Sequence, residues 1–303
     1  MKKNFFSFLL TGIISCVSMI CYADVNQNVL SPEQPFEGEI VYETFEHWSD
    51  AIKKQANFSY FNGVHKIRLI LKGEKMHMID ETTKIHYVAD GAAPSYTEYC
   101  EWTQKGYIQD HRNVEIQEVL APRDIYCFGE TYRLVSNTFS EKSEEKTVLD
   151  YPCKLYEGDI CRKILNKQNY SIKAYVSNLV APAGYKWSLL GLNIPGIALK
   201  WRMKLNLGHV NGLGIVKSGE FSCYKEADVV EIIPRTVSDE ELVVPSNYKI
   251  VSGMNGFATI RYQKEVKKAL KEHGIIGENG DVVGDNSNKT TGVHYQTDEE
   301  WDF

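Results

Sequence analysis

The 303-residue chain is predicted to be mainly β, built on an antiparallel sheet with few short helices. Three observations predict this. Apolar and polar residues alternate with a period of two over many short runs, the pattern of strands buried on one face. Turn-forming pairs separate those runs. Helical segments of about ten to fifteen residues, which parallel crossovers require, are almost absent.

The amino terminus predicts export. Lys2 and Lys3 precede an apolar run from Phe5 to Ile20, the layout of a secretory signal peptide. The run falls short of the roughly twenty residues that span hydrocarbon. Cleavage is expected after Ala23, with Cys21 and Ala23 as the two small residues before the cut, so that residues 1–23 are the signal peptide. Lipid attachment at Cys21 is the alternative, disfavoured by the bulky Met19 and Ile20 beside it. The expected location is periplasmic or secreted.

Residues 24–35 are polar, carry two prolines and read as a flexible leader. The β domain is expected over residues 36–250. Ile67, Leu69 and Leu71 face one way while Lys66, Arg68 and Lys72 face the other, and Lys72-Gly73-Glu74 turns the chain into Met76–Asp80. Ile85, Tyr87 and Ala89 repeat the pattern against Lys84 and His86, ending at Asp90-Gly91, a pair suited to a tight hairpin. The clearest strand is Ile197–Leu207, where Ile197, Leu199, Trp201, Met203, Leu205 and Leu207 alternate with Ala198, Lys200, Arg202, Lys204 and Asn206. Further strands are expected at Glu39–Phe45, Val114–Leu120, Thr131–Val135, Cys153–Tyr156, Tyr170–Val176, Gly214–Cys223 and Val229–Ile233.

Helices are expected near Ser49–Ala56 and at Phe257–Glu272, the second stopped by Gly274 and lying within a helical region of residues 251–276. Residues 277–303 are rich in Gly, Asn, Asp and Thr and are expected to be a disordered polar tail.

Composition narrows the function. A net charge of −6 without a basic cluster offers no electrostatic footprint for nucleic acid, and no such partner is expected. Five cysteines follow the cleavage site, Cys100, Cys127, Cys153, Cys161 and Cys223; their odd number leaves a thiol unpaired in a monomer, and their spacing is not that of a zinc site. No GxSxG elbow is present. Asn211-Gly212-Leu213-Gly214-Ile215 lacks the Gly-Lys-Ser/Thr ending of a phosphate loop and reads as a turn.

His77 and His86 are the histidines a hairpin would bring together, but two ligands without a third do not make a metal site, and the alternation turns both toward solvent. The acidic run from Glu278 to Asn288 lacks calcium-loop spacing. Carboxylate pairs such as Glu144-Glu145 and Asp239 to Glu241 fall in polar connections, not on a shared cleft. No catalytic residue, metal or cofactor is expected, and the chain reads as non-enzymatic.

Four segments resemble exported families of unknown function. Phe36-Glu37-Gly38-Glu39-Ile40-Val41-Tyr42 is similar to their first strand, and Tyr151-Pro152-Cys153-Lys154 to their central Gly-Tyr-x-Cys-Lys motif, with Asp150 in the glycine's place. Gly191–Leu199 resembles the segment that names the GLPGLI family, with Asn-Ile inserted before Pro195. Val237–Tyr248 looks like the closing stretch. The ordered set resembles the GLPGLI family and the domain-of-unknown-function family numbered 4412, which have a lipoprotein-carrier-like (LolA/LolB-like) fold. The resemblance implies a strongly curved half-barrel.

A curled antiparallel sheet would offer a concave apolar face. The leading expectation is therefore a periplasmic binding or carrier protein for a lipid or other hydrophobic ligand, lined by Trp187, Leu199, Trp201 and Met203. The alternative is a cell-envelope interaction or scaffold protein that docks an envelope partner through the sheet and a tail carrying Trp301 and Phe303.

Overall fold

The structure is a computed structural model, and it describes residues 34–48, 61–91, 95–110, 133–163, 167–187, 194–207, 222–251 and 256–283. Twelve strands follow in chain order: β1 (Gly38–Trp48), β2 (Gly63–Lys72), β3 (Lys75–Asp80), β4 (Ile85–Asp90), β5 (Ser95–Cys100), β6 (Lys105–Asp110), β7 (Arg133–Val148), β8 (Tyr151–Lys163), β9 (Lys167–Ser177), β10 (Ala198–Leu207), β11 (Ser222–Pro234) and β12 (Lys249–Val251). Two 3-10 helices, Ala183–Trp187 and Asp239–Leu242, and one α-helix, α1 (Gly256–Glu272), complete the described elements.

All twelve strands join one sheet in the order β12-β6-β5-β4-β3-β2-β1-β11-β10-β9-β8-β7. Period-two alternation and short turns explain the meander from β2 to β6. Gly73, at φ 56, supplies the turn between β2 and β3. Leu149 and Asp150, at φ 44 and 66, form the two-residue link between β7 and β8, where a right-handed sheet twist favours positive φ at both positions. Asp150 thus occupies a conformation that glycine adopts with less strain.

The half-barrel expectation is overturned. The sheet is open, because its end strands β12 and β7 lie eleven places apart in the order and do not pair, and it is not strongly curved. Sheets are bent by bulges, and the ladders from β1 through β6 run without a single register shift. Shifts are confined to the other half, at Val41/Tyr42, Ala198/Lys200, Leu134/Ser136 and Glu141/Glu145. A second correction is that β12 runs parallel to β6, so the sheet is antiparallel except at that edge. A single described α-helix stands where a few short ones were expected.

The apolar face is buried under appended segments instead of under its own curvature. Ile67, Leu69 and Leu71 of β2 stand opposite Tyr42, Ile40 and Gly38 of β1, and one apolar cluster extends from them through Met76, Ile85 and Tyr87 to Ala227, Trp201 and Ile172. Tyr185 of the first 3-10 helix and Tyr262, Val266 and Leu270 of α1 belong to the same cluster. Those three helix residues recur at i, i+4 and i+8, one stripe of an amphipathic helix. The opposite face is mostly polar, and Ile70 and Ile79 on it are roofed by Val237 and Leu242.

The helix expected at Phe257–Glu272 is present as α1, and Gly274, at φ 69, follows its end. Beyond it, Val282 N–H donates to Asn62 O, Val283 N–H to Ile275 O, and Ile276 is buried. Expected elements at 1–33, Ser49–Ala56, Val114–Leu120 and 284–303 lie outside the described residues. Among the described residues no helix is long and apolar enough to cross a membrane.

Candidate functional site: the two faces of the sheet

Three of the four residues expected to line a ligand come together on the inner face of β10. Leu199, Trp201 and Met203 are 0%, 4% and 1% exposed, and they pack with Ile172, Ala174 and Val176 of β9 and Ala227 and Val229 of β11. Cross-strand size complementarity explains the fit: Trp201 stands between Ala227 and Ala174. Trp187 ends the first 3-10 helix, and its side chain lies outside the described residues.

Polar groups also lie on this apolar face, and sequence reasoning missed them. His65 of β2 is in phase with Ile67, Leu69 and Leu71, and Asp80 of β3 with Met76 and Met78. Their side chains meet at 2.9 Å (Nδ1 to Oδ2), while Nε2 of His65 lies 3.2 Å from the Phe61 carbonyl. Both imidazole nitrogens therefore face acceptors, an arrangement that the doubly protonated ring satisfies. Asp80 draws the pKa of His65 upward against its burial, and His65 together with the Thr83 hydroxyl, at 2.6 Å, draws that of Asp80 downward. Lys225 of β11, also buried, pairs with Glu46 of β1 at 2.6 Å. A polar residue in the apolar phase of a strand was the signal available in the sequence.

Glu98 of β5 is a third such group. It is sealed between the sheet and α1 and accepts from the Tyr107 hydroxyl at 3.2 Å; burial pushes its carboxyl pKa up to about 8. Around it α1 is held by Lys105 to Glu265 at 2.6 Å, by the edge-on contact of Tyr107 with Tyr262, and by Trp102 stacked on His273.

The opposite face carries charge networks. Glu39 bridges Arg68 and Arg235; Arg68 also reaches Glu81, and Arg235 reaches Glu241. Asp239 pairs with Lys72, and Lys200 with Asp228. Asp239 and Glu241 of the connecting turn are thus held by cations, whereas Glu144, expected in a polar connection, lies within β7 and is bonded by the Tyr175 hydroxyl.

His77 and His86 do meet, but not in solvent. Each is 7% exposed, because the 3-10 turn Asp239–Leu242 and Tyr248 lie over that part of the sheet. Nε2 of His77 lies 2.9 Å from Nδ1 of His86, and burial lowers the pKa of His77 to about 4. Among the described residues no group of three or more His, Cys, Asp or Glu side chains is placed to hold a metal ion. Cys100 and Cys153 are free, buried thiols whose pKa values burial raises. Cys127 and the side chains of Cys161 and Cys223 lie outside the described residues, as do Trp301 and Phe303.

No family model and no curated protein matches the chain, so the resemblance to family 4412 and the GLPGLI family gains no support. Among solved structures the chain is similar to PNGF-II in a C2 crystal form, with a TM-score of 0.38 and 14% identity over 76% of this chain and 33% of that one. The chain therefore spans about a third of that protein's length. It is also similar to a putative outer membrane lipoprotein-sorting protein domain from Vibrio parahaemolyticus, with a TM-score of 0.26 and 10% identity over 68% of this chain and 89% of that one. What remains of the family expectation is this distant, partial likeness to a lipoprotein-sorting fold. At that distance neither likeness carries an argument about activity.

Proposed function

We propose that the protein is a non-enzymatic cell-envelope interaction protein, exported by its amino-terminal signal, which docks a partner on its open sheet. The observation that supports this reading is the end strand β7. It is sixteen residues long and pairs with β8 on one side only among the described residues. An unpaired strand edge is a template for an extended segment of another chain, which gains main-chain hydrogen bonds along it. The exposed Glu141, Lys142, Glu144, Glu145 and Lys146 on that strand set a mixed-charge rule for the partner. A photoreactive side chain at Ser140 or Lys142 should give a discrete cross-linked product in the envelope, and the same group at exposed Val283 should not. Equal labelling from both positions would remove the edge from the account.

The carrier reading keeps one observation in its favour. The apolar cluster passes without a break from β10 to α1, and α1 meets the sheet edge through a few polar and aromatic contacts. Lifting the helix would uncover apolar surface for a lipid, with Leu199, Trp201 and Met203 as lining. A disulfide or cross-link that pins α1 to β6 separates the two readings, because only a carrier would then lose its ligand.

A further inference from the structure

His77 and His86 lie outside the reading above, and their geometry poses a proton-counting problem. Nδ1 of His77 is 2.6 Å from the Glu241 carbonyl oxygen, which can only accept, so Nδ1 carries a proton. Nε2 of His86 is 2.8 Å from the Glu101 carboxylate oxygen, and the same argument puts a proton there. The two remaining nitrogens face each other at 2.9 Å. The ring centroids are 5.2 Å apart, about as far as that contact allows, so the nitrogens meet end-on, as in an N–H···N bond. Three contacts need three N–H groups, and two neutral imidazoles bring only two.

We propose that His77 and His86 act as a one-proton latch: a single added proton, shared between the rings, ties Glu101 through both histidines to the Asp239–Leu242 turn.

Tyr99 flanks the shared proton. Its hydroxyl is 3.3 Å from Nε2 of His77, and its ring stacks on His86 at 4.5 Å. The Glu101 carboxylate decides where the proton sits: it lies against Nε2 of His86, whereas His77 faces only a carbonyl oxygen, so the shared proton resides on Nδ1 of His86 and the single lone pair of Nε2 of His77 accepts it. Without it, His86 keeps its one proton on Nδ1 and releases Glu101, whose side chain is 44% exposed and finds water instead. His77 keeps the Glu241 carbonyl in both states. A second added proton would set two N–H groups head to head and is excluded.

The groups facing the pair are known from every side. Glu101, in the turn after β5, and Asp80, on β3, favour uptake by His86, whereas Lys84 in the β3–β4 turn opposes it. The Glu241 carboxylate, drawn off by Arg235, favours uptake by His77. Tyr99 and Tyr248 are phenols whose pKa values burial raises, so they stay neutral. Burial lowers the proton affinity of both histidines, which places uptake in mild acid.

Long-range 1H–15N spectra of the full ring-labelled chain between pH 4 and 8 test this. The latch predicts that His77 stays protonated on Nδ1 throughout, while His86 passes from the Nδ1–H tautomer to the doubly protonated ring in one step. Two independent steps, or an Nε2–H tautomer of His86 at pH 8, would overturn it. The Glu101→Gln variant, altered at a half-exposed position, should lower the midpoint by about half a unit or more. An unchanged midpoint refutes the latch, and so does a shift of both rings on adding one equivalent of Zn2+, which would make the gap a metal site.

Discussion

Trp201 of β10 is paired directly across the ladder with Ala227 of β11, and both are nearly inaccessible, at 4% and 1% exposure. With Ala174 on its other flank, the indole fills space that two methyl groups leave open. Trp201→Ala should destabilise the fold by about 3–5 kcal/mol, the cost of a large cavity in a packed core. Ala174→Leu should cost about 1–3 kcal/mol by overpacking. Urea unfolding measures both. A Trp201→Ala loss below about 1 kcal/mol would show that the indole borders a space able to accept other atoms.

The His65–Asp80 pair predicts a pH window. A raised histidine value means that its contribution is present below the ordinary 6.5 and fades as pH rises through the raised value. A lowered aspartate value means that its contribution is present above 3.8 and fades as pH falls through the lowered value. Asp80→Ala should therefore cost most between those two ordinary values, about 3–5 kcal/mol, because it strands a buried cation. The gap between thermal melts of the variant and the parent should narrow on the alkaline side without closing, because the Thr82 and Thr83 bonds to Asp80 remain in the parent. A cost independent of pH would assign Asp80 to turn hydrogen bonds with Thr82 and Thr83 alone.

Glu98 makes the opposite prediction. The unfolded carboxyl ionises near 4.5, while the folded one holds its proton to about 8, so the unfolded state releases a proton that the folded state retains. Stability falls as pH rises between those values. Glu98→Gln removes that loss while keeping the shape and an acceptor for Tyr107. The variant should match the parent near pH 4.5 and exceed it by about 1–3 kcal/mol at neutral pH. Denaturant midpoints at the two pH values check it, and a variant less stable at both would contradict the assignment.

Alternation made β2, β3, β4 and β10 legible in the sequence, and the face partly shared by Ile260, Val266, Ala269 and Leu270, with Gly274 as a stop beyond it, made α1 legible. It failed where a residue's phase and its polarity disagree. His65, Asp80, Glu98 and Lys225 sit in apolar phases, and only tertiary pairing shows that they are buried with partners. It failed again where cover comes from far along the chain. His77 and His86 occupy the outward phase, yet Glu241 and Tyr248, more than a hundred residues away, close over them. Curvature was out of reach because it depends on where ladders slip, and register shifts leave no mark in single-strand patterns. The parallel edge rests on three residues, Lys249–Val251, too few to show a period.

A partner docks along the unpaired edge of β7 in the proposal above, while the apolar face serves as core. Native mass spectrometry of the protein isolated after expression of the full chain, before and after addition of excess long-chain fatty acid, tests it most directly. The account predicts the mass of the polypeptide beginning at Asp24, with no lipid adduct in either sample. A stoichiometric adduct that Trp201→Ala weakens or displaces would contradict it and return the apolar face to a ligand.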